Sequence, residues 1–484
     1  MSLNKTIKIV IMLFVPFMLQ AQELNLEDAI NIALVKNDIV QQYQSRLKSK
    51  EFKNTAAWGN FLPSINLQGS YTHLDDALQI DLNPIRSVMI QLQAGNQTEL
   101  TNISNAMAGN APLTDAQKQA VYGQAFDALD NAIPSFVETL KNQDYRSASI
   151  VGVQPLFMGG KLISAKKYSS AEEEAAKQEL EKIKNEIVNE VVKSYAQNLL
   201  QKNIVTIRKN VLSGMLKHKK NANKLFEQGI IAKYHLLRAE VAVAEAERNL
   251  LKDKNNLELV KLSLNSLLGL PLESNTVLLD SLKFIALPDS LVDLLEKAKE
   301  TQPILKLIEQ KKIAAAQNYN IVQSNLLPQI AAFGKYEIYT EDLSALEPNW
   351  AVGIQAKINI FNGFKDYLNL QSASAIESEV DFIMKDTERK ISLWINKSYR
   401  DVHNNADEYA KLNTSLNLAK ENYRQNSKRF LTGLGTSLEV IDSRLSLEKV
   451  EIDLDVALYK YYASLADLEN ATGDSANFLN VWNK

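Results

Sequence analysis

Between Gly160 and Gln228 the chain has no proline and a single interior glycine, Gly214. Ile183, Ile187, Val191, Tyr195 and Leu199 recur there at helical spacing, and Ile391, Trp394, Ile395, Tyr399 and Val402 do the same later. At 1.5 Å per residue, a helix of ~65 residues extends roughly 100 Å. A helix that long cannot bury its apolar stripe inside a globule. It must lie along other long helices.

The two long segments are copies of one another. Phe157 in "PLFMGGK" matches Phe361 in "NIFNGFK" at an offset of 204, and Gly229 with Gly433 and Gly269 with Gly473 keep that offset. Upstream, "FLPSI" (61–65) matches "LLPQI" (326–330) at 265, as Leu26-Glu27-Asp28 matches Leu291-Val292-Asp293. The first repeat therefore carries 61 extra residues, the difference of the two offsets, between about His73 and Tyr145. That insertion is rich in Asn, Gly and Ala, with a helix expected from about Thr114 to Leu129.

Each repeat contains two strand patterns. Ile65, Leu67, Gly69 and Tyr71 alternate with Asn66, Gln68, Ser70 and Thr72; the counterpart face is Ile330, Ala332, Gly334, Tyr336 and Ile338. Trp350, Val352, Ile354, Ala356, Ile358 and Ile360 alternate with Gln355, Lys357 and Asn359. Strands of about ten residues with one continuous apolar face suit a tilted membrane span, and equally a soluble sheet with one wet face. In lipid, four strands cannot close a barrel, so closure requires several chains. The chain ends in "NVWNK" after a helix rather than in a strand with a terminal aromatic, unlike a single-chain porin.

Lys5 and Lys8 precede the apolar run Ile9–Leu19, and "LQA" (19–21) has the form of a cleavage site, so residues 1–21 read as a secretory signal peptide. Loss of those two lysines takes the formal net charge from −3 to about −5, too mild to imply a nucleic-acid partner. The 484 residues include no cysteine, so neither disulfides nor a lipid anchor is expected. Past residue 21 no apolar run approaches the ~20 residues of a membrane-spanning helix.

Both long helices break in the same way, at "LFEQGIIAKYHLLR" (225–238) and "RFLTGLGTSLEVID" (429–442). Gly229 and Gly433 suit the left-handed residue that ends a helix. Thr436-Ser437-Leu438-Glu439 reads as a capping box, which accounts for Glu439 by itself. At the same offset, His235 and Arg238 stand where the second break has Glu439 and Asp442.

The two "LP-x-I" strand entries, the "PLFMGGK" and "NIFNGFK" exits, the paired breaks, and "LNSLLG" and "LENATG" at the ends of the return helices together resemble the TolC family of bacterial outer-membrane efflux proteins. The resemblance covers essentially the whole mature chain. It implies a mainly α fold with a small β part: long antiparallel coiled-coil helices forming a periplasmic tunnel, and four strands per chain entering a trimeric twelve-stranded transmembrane β-barrel. The implied role is a passive outer-membrane duct of a tripartite pump exporting drugs, toxic compounds or metal ions. Its partners would be a periplasmic adaptor and an inner-membrane transporter of the RND, ABC or MFS class. The breaks would be periplasmic tips where the adaptor docks, through Gly229, Ile230, Ile231 and Ala232 in one turn and Gly433, Leu434, Gly435 and Thr436 in the other. Asp442 and Glu439 would line the periplasmic mouth. Arg238 and His235 would be basic partners, with an Asp442–Arg238 bridge between neighbouring hairpins holding the mouth shut.

On this reading the expected segments are 22–273 and 274–484. The first has strands about 62–74 and 146–157 flanking a surface insertion of about 74–145, with helices about 24–57, 160–228 and 232–268. The second has a helix about 289–325, strands about 327–340 and 349–361, and helices about 363–430 and 436–472. The four histidines are scattered, with no metal-ligand spacing, no P-loop and no nucleophile elbow, so neither enzyme nor cofactor is expected. Two other roles fit the same features: the duct of a type I protein secretion system, or a periplasmic coiled-coil structural or adaptor protein.

Overall fold

The computed structural model describes residues 22–284, 290–344 and 346–482, so the expected signal peptide lies outside the described residues. In chain order the elements are β1 (Gln22–Leu24), α1 (Leu26–Lys36), α2 (Asp38–Gly59), β2 (Ser64–His73), β3 (Leu78–Asp81), α3 (Asn83–Met107), α4 (Asp115–Ala132), β4 (Val137–Lys141) and β5 (Asp144–Phe157). Then follow α5 (Lys161–Glu227), α6 (Lys233–Leu267), β6 (Thr276–Leu278), α7 (Leu291–Thr301), α8 (Pro303–Gln323), β7 (Gln329–Tyr339), β8 (Trp350–Lys357), α9 (Lys365–Leu431), α10 (Ser437–Thr472) and α11 (Phe478–Trp482). Two units form: a helical one from the described parts of Met1–Ala56, Ile163–Asn320 and Tyr367–Lys484, and a sheet unit from Ala57–Leu162 and Ile321–Asp366.

The helical unit is built on α5 and α9, 67 residues each, with α6 and α10 returning along them. Its main core joins the middle of α5 (Ile187, Val191, Tyr195, Leu199) to α1, to Ile395 and Val402 of α9, and to Tyr461, Leu465 and Leu468 of α10. Tyr195 is fully buried, and its hydroxyl donates to Leu24 O (2.9 Å) and Asp280 Oδ2 (2.6 Å). Asp280 also accepts from Leu26 N at 3.0 Å. These bonds anchor the two-stranded parallel pair β1–β6, which the sequence patterns do not reveal.

Two helices expected to be continuous are each broken in two. The segment 24–57 divides at Asn37 and 289–325 at Gln302, and both residues are extended. Pro303 disfavours helical backbone at Gln302. At Asn37 the side chain caps α2 by accepting from Ile39 N (2.9 Å). The two breaks are one structural feature repeated. Asn37 Nδ2 donates to Leu267 O at 2.8 Å, and Gln302 Nε2 donates to Ala471 O at 2.8 Å, so each ties the last carbonyls of a return helix. The close approach needs glycine next in line: a Cβ on Gly269 would lie 2.5 Å from Lys36 O, and one on Gly473 2.5 Å from Gln302 Cα.

In the sheet unit the strands lie in the order β2-β5-β7-β8, antiparallel throughout. Register builds one face in rows: Leu67, Ile150, Tyr336 and Trp350 stand side by side, and Ile65, Gly152, Gly334 and Val352 form the next row. The opposite face carries Gln68, Ser149 and Glu337, with Lys335 paired to Glu337. Phe333 lies on that face over Gly353, where a Cβ would come within 2.9 Å of its ring. Leu67 and Val352 are 74% and 72% exposed in the single chain, and among the described residues no strand pairs with the outer edge of β2 or β8. The last strand stops at Lys357 instead of running to 361.

Between β2 and β5 the insertion forms a β3–β4 hairpin carrying two helices rather than the one expected. Helix α4 starts at the capping box Thr114–Gln117. Helix α3 begins with a proline in its first turn, Pro84, a recognised helix-start signal. Lys141 at the end of β4 donates to Asp342 O (2.9 Å) and pairs with Glu347, fastening the insertion to the β7–β8 loop.

Candidate functional site: the paired helix turns

Both long helices end in a Schellman turn of the same geometry. At the first, Ile230 N donates to Leu225 O (2.8 Å) and Gly229 N to Phe226 O (2.9 Å), with Gly229 at φ 69°. At the second, Leu434 N donates to Arg429 O (2.9 Å) and Gly433 N to Phe430 O (3.1 Å), with Gly433 at φ 75°. Only glycine takes that backbone freely, so these two glycines stop the helices and satisfy their orphan carbonyls. Gly269 and Gly473 close the return helices in the same way.

The turns adjoin. A Cβ on Gly433 would lie 3.7 Å from Ile230 Cγ2, and Ala222, Leu225, Ala239, Phe430 and Val440 form one buried cluster beneath both. Gly229, Ile230, Ala232, Gly433, Leu434 and Thr436 are exposed, whereas Ile231 and Gly435 are half-buried. Leu434 is 75% and Ile230 56% exposed, so two aliphatic side chains stand out side by side at the end of a charged helical hairpin pair. Gly435 is glycine for space rather than conformation, because a Cβ there would lie 3.1 Å from both Glu439 Oε2 and Phe430 N.

The capping box at Thr436 is formed in full. Thr436 N donates to Glu439 Oε2 (2.8 Å) and Glu439 N to Thr436 Oγ1 (3.2 Å). One turn on, Asp442 is exposed. Arg238 is also exposed, and among the described residues no ion pair joins it to Asp442 within the chain. His235 lies with its ring 3.9 Å from that of Tyr234, and its Nδ1 is buried without a hydrogen bond. The fold thus brings the two turns together but leaves the acids and bases of one chain unpaired with each other.

Several polar residues behind the turns escape sequence reasoning. His218 is 4% exposed, its Nε2 lies 2.7 Å from Ser437 Oγ, and its ring packs at 4.7 Å on Phe430. Burial lowers its pKa to about 4, so the imidazole is neutral near pH 7. Farther along α5, Arg208 donates to Asp253 of α6 (2.7 Å) and pairs with Glu448 of α10, tying three helices through charges that are largely buried. Arg444 is buried against Glu451 (3.1 Å) and the Tyr423 ring, and Gly214 leaves the space: a Cβ there would lie 3.3 Å from Tyr423 Oη. A glycine inside an otherwise unbroken helix was the one visible sign of this packing.

Among the described residues no group of His, Cys, Asp and Glu is placed to hold a metal, and no helix is long and apolar enough to cross a membrane.

No curated protein matches the sequence. The fold is that of solved outer-membrane channels. The outer membrane protein VceC from Vibrio cholerae superposes with a TM-score of 0.69 at 17% identity, covering 93% of this chain and 96% of that one. The CmeC outer membrane channel of Campylobacter jejuni gives 0.70 at 14% identity, with 94% and 88% covered. The open state of the MtrE outer membrane channel of Neisseria gonorrhoeae gives 0.67 at 15% identity, with 93% and 89% covered. Residues 29–270 and 294–474 match the family model of the outer membrane efflux proteins. With both halves of the duplication matched and a TolC-like fold, the chain belongs to the outer membrane efflux protein family and is a transport channel, not an enzyme.

Proposed function

We propose that three copies of the chain form a passive export duct across the outer membrane, the outer component of a tripartite efflux pump for small molecules. The observation that carries this reading is the sheet. Its continuous apolar face, its mixed opposite face carrying Gln68, Ser149 and Glu337, and its two outer edges unpaired among the described residues suit a one-third share of a lipid-embedded barrel and no closed structure of one chain. Three copies of four strands make twelve, an even number within the range of such barrels.

The paired turns are the docking surface for a periplasmic adaptor, with Ile230 and Leu434 as apolar contacts around Gly229, Ile231, Ala232, Gly433, Gly435 and Thr436. An inner-membrane transporter of the RND, ABC or MFS class supplies the energy. Asp442 forms the acidic mouth, and Arg238 of a neighbouring copy is its partner across the subunit seam. Glu439 serves the cap first; His235 flanks Arg238 one turn away.

Single-channel conductance in planar bilayers tests the reading, comparing the wild type with Asp442→Asn and with Glu439→Gln, which preserves the capping box. The expected result is a small cation-selective current that loses selectivity in Asp442→Asn and keeps it in Glu439→Gln. A protein that stays soluble without detergent and forms no channel would sink the proposal.

A further inference from the structure

Helix α3 of the insertion has two apolar faces. Ile90, Ala94 and Thr98 are buried against α4. On the opposite side Ile85, Met89, Leu92, Leu100, Ile103 and Met107 are all exposed, from 52% at Ile103 to 86% at Met107. Their spacing is 4, 3 and 4 residues repeated, with Asn96 completing the series, so 85, 96 and 107 are equivalent, as are 89 with 100 and 92 with 103. An 11-residue repeat is 3.67 residues per turn, which keeps one seam on one side of a nearly straight helix over its whole length.

The two charges of α3 are both paired to α4, Arg86 away from the seam and Glu99 at its border beside Leu92. Arg86 binds Asp130 (2.7 Å) and Glu99 binds Lys118 (3.3 Å), both partners lying on α4, and α3 has no further ionisable side chain. A helix resting on a lipid surface would carry lysines and arginines on its polar face and aromatic residues at its border. This one has a single arginine, Arg86, tied to Asp130, and no lysine or aromatic residue. A groove of about 630 Å³ opens beside Leu92 and Gly95, and a Cβ on Gly95 would meet nothing within 4 Å. Space for a neighbouring side chain therefore adjoins the seam, bordered on the α4 side by the Glu99–Lys118 pair and Tyr122. The insertion springs from β2, an edge strand of the sheet, which needs a strand of the next copy beside it.

We infer that the occupant of this face is the same face of neighbouring copies: the α3 helices of the assembled duct pack on each other through the Ile85–Met107 seam and plug its outer mouth. The inference rests on the proposed closure of the barrel by several copies. It adds a contact and a closing device that the barrel itself does not require. Asn96, the polar member of the seam, meets its own copies about the symmetry axis and fixes the register, as a lone asparagine does in other helix assemblies.

The absence of cysteine makes the test direct. Leu92→Cys and Ile103→Cys are introduced singly into the full chain in outer membranes and oxidised, beside Gln97→Cys, which lies about a quarter turn off the seam. Glutaraldehyde cross-linking of the unsubstituted protein reports separately whether copies assemble. The expected result is a disulfide-linked pair for Leu92→Cys and Ile103→Cys but not for Gln97→Cys. Leu92→Glu combined with Ile103→Glu is expected to raise single-channel conductance while assembly persists. Assembly without seam disulfides overturns the inference and leaves the duct reading standing, whether the cysteines are freely alkylated, shielded by lipid or linked to another surface protein. Absence of assembly overturns the duct reading and the inference with it.

Discussion

His218 and Ser437 meet at 2.7 Å between Nε2 and Oγ, both buried, at the point where the outgoing helix α5 touches the first turn of α10. Because Ser437 directly follows the cap residue Thr436, this bond fixes the start of the return helix against the other hairpin. The imidazole is held neutral, with its pKa lowered by burial to about 4.

A pH dependence follows from that bond. Above the unfolded value of ~6.5 His218 is neutral in both states and its contribution is complete. As pH falls below that value the unfolded chain takes up a proton first, so stability declines until about pH 4, by up to about 3 kcal/mol for this group. His218→Gln keeps a donor for Ser437 and does not titrate. The difference in melting temperature between the two proteins, followed by circular dichroism in detergent, is expected to shrink or reverse as pH falls from 7 to 4.5. A constant difference across that range would show that His218 does not titrate as described.

Asp455 of α10 works in the opposite sense. Burial raises its pKa to about 6, opposed by a hydrogen bond from Asn203. A carboxylate whose folded pKa lies above its unfolded one destabilises the fold at neutral pH, and stability returns as pH falls through 6 towards 4. Asp455→Asn is expected to raise stability at pH 7 by about 1–2 kcal/mol and to have little effect at pH 4. Chemical denaturation at the two pH values distinguishes this from a substitution that acts by packing.

The repeated glycines are not equivalent. Gly229→Ala adds a Cβ into open space, so only its left-handed backbone is strained, at about 1 kcal/mol. Gly473→Ala adds that strain and a Cβ 2.5 Å from Gln302 Cα, so about 3 kcal/mol is expected. Melting temperatures of the two variants should rank accordingly. Equal losses would mean that the Gln302 contact yields without resistance.

Arg208 spans Asp253 and Glu448, which are 9% and 5% exposed. Arg208→Met leaves two buried carboxylates without their cation and is expected to cost about 3–5 kcal/mol. Adding Asp253→Asn and Glu448→Gln removes those charges and should recover most of the loss. Failure of the triple variant to recover would assign the role of Arg208 to the packing of its stem instead.

The sequence by itself determined the architecture, because the evidence for it is periodic and local. The constant offset between Gly229 and Gly433 states that two helices reverse alike. The alternation around Leu67 and Val352 states which strand face is apolar, and Thr436 with Glu439 spells a capping box that the structure forms. Breaks at single side chains were less legible. Pro303 was a sign of the division at Gln302, whereas Asn37 breaks its helix through a bond to Leu267, 230 positions away, which no local pattern encodes.

What only the tertiary structure decided are relations between residues distant along the chain. His218 against Ser437, Arg208 between two acids, and the β1–β6 pair held by Tyr195 and Asp280 each join residues by more than fifty positions or across helices. A histidine on a helix reads the same in sequence whether solvated or buried; its burial is a property of the neighbouring helix. The same holds for α3. Its sequence, with Arg86 and Glu99 as the only charges, carries apolar residues on two faces, and only once α4 covers one of them does the other stand out as an exposed apolar surface.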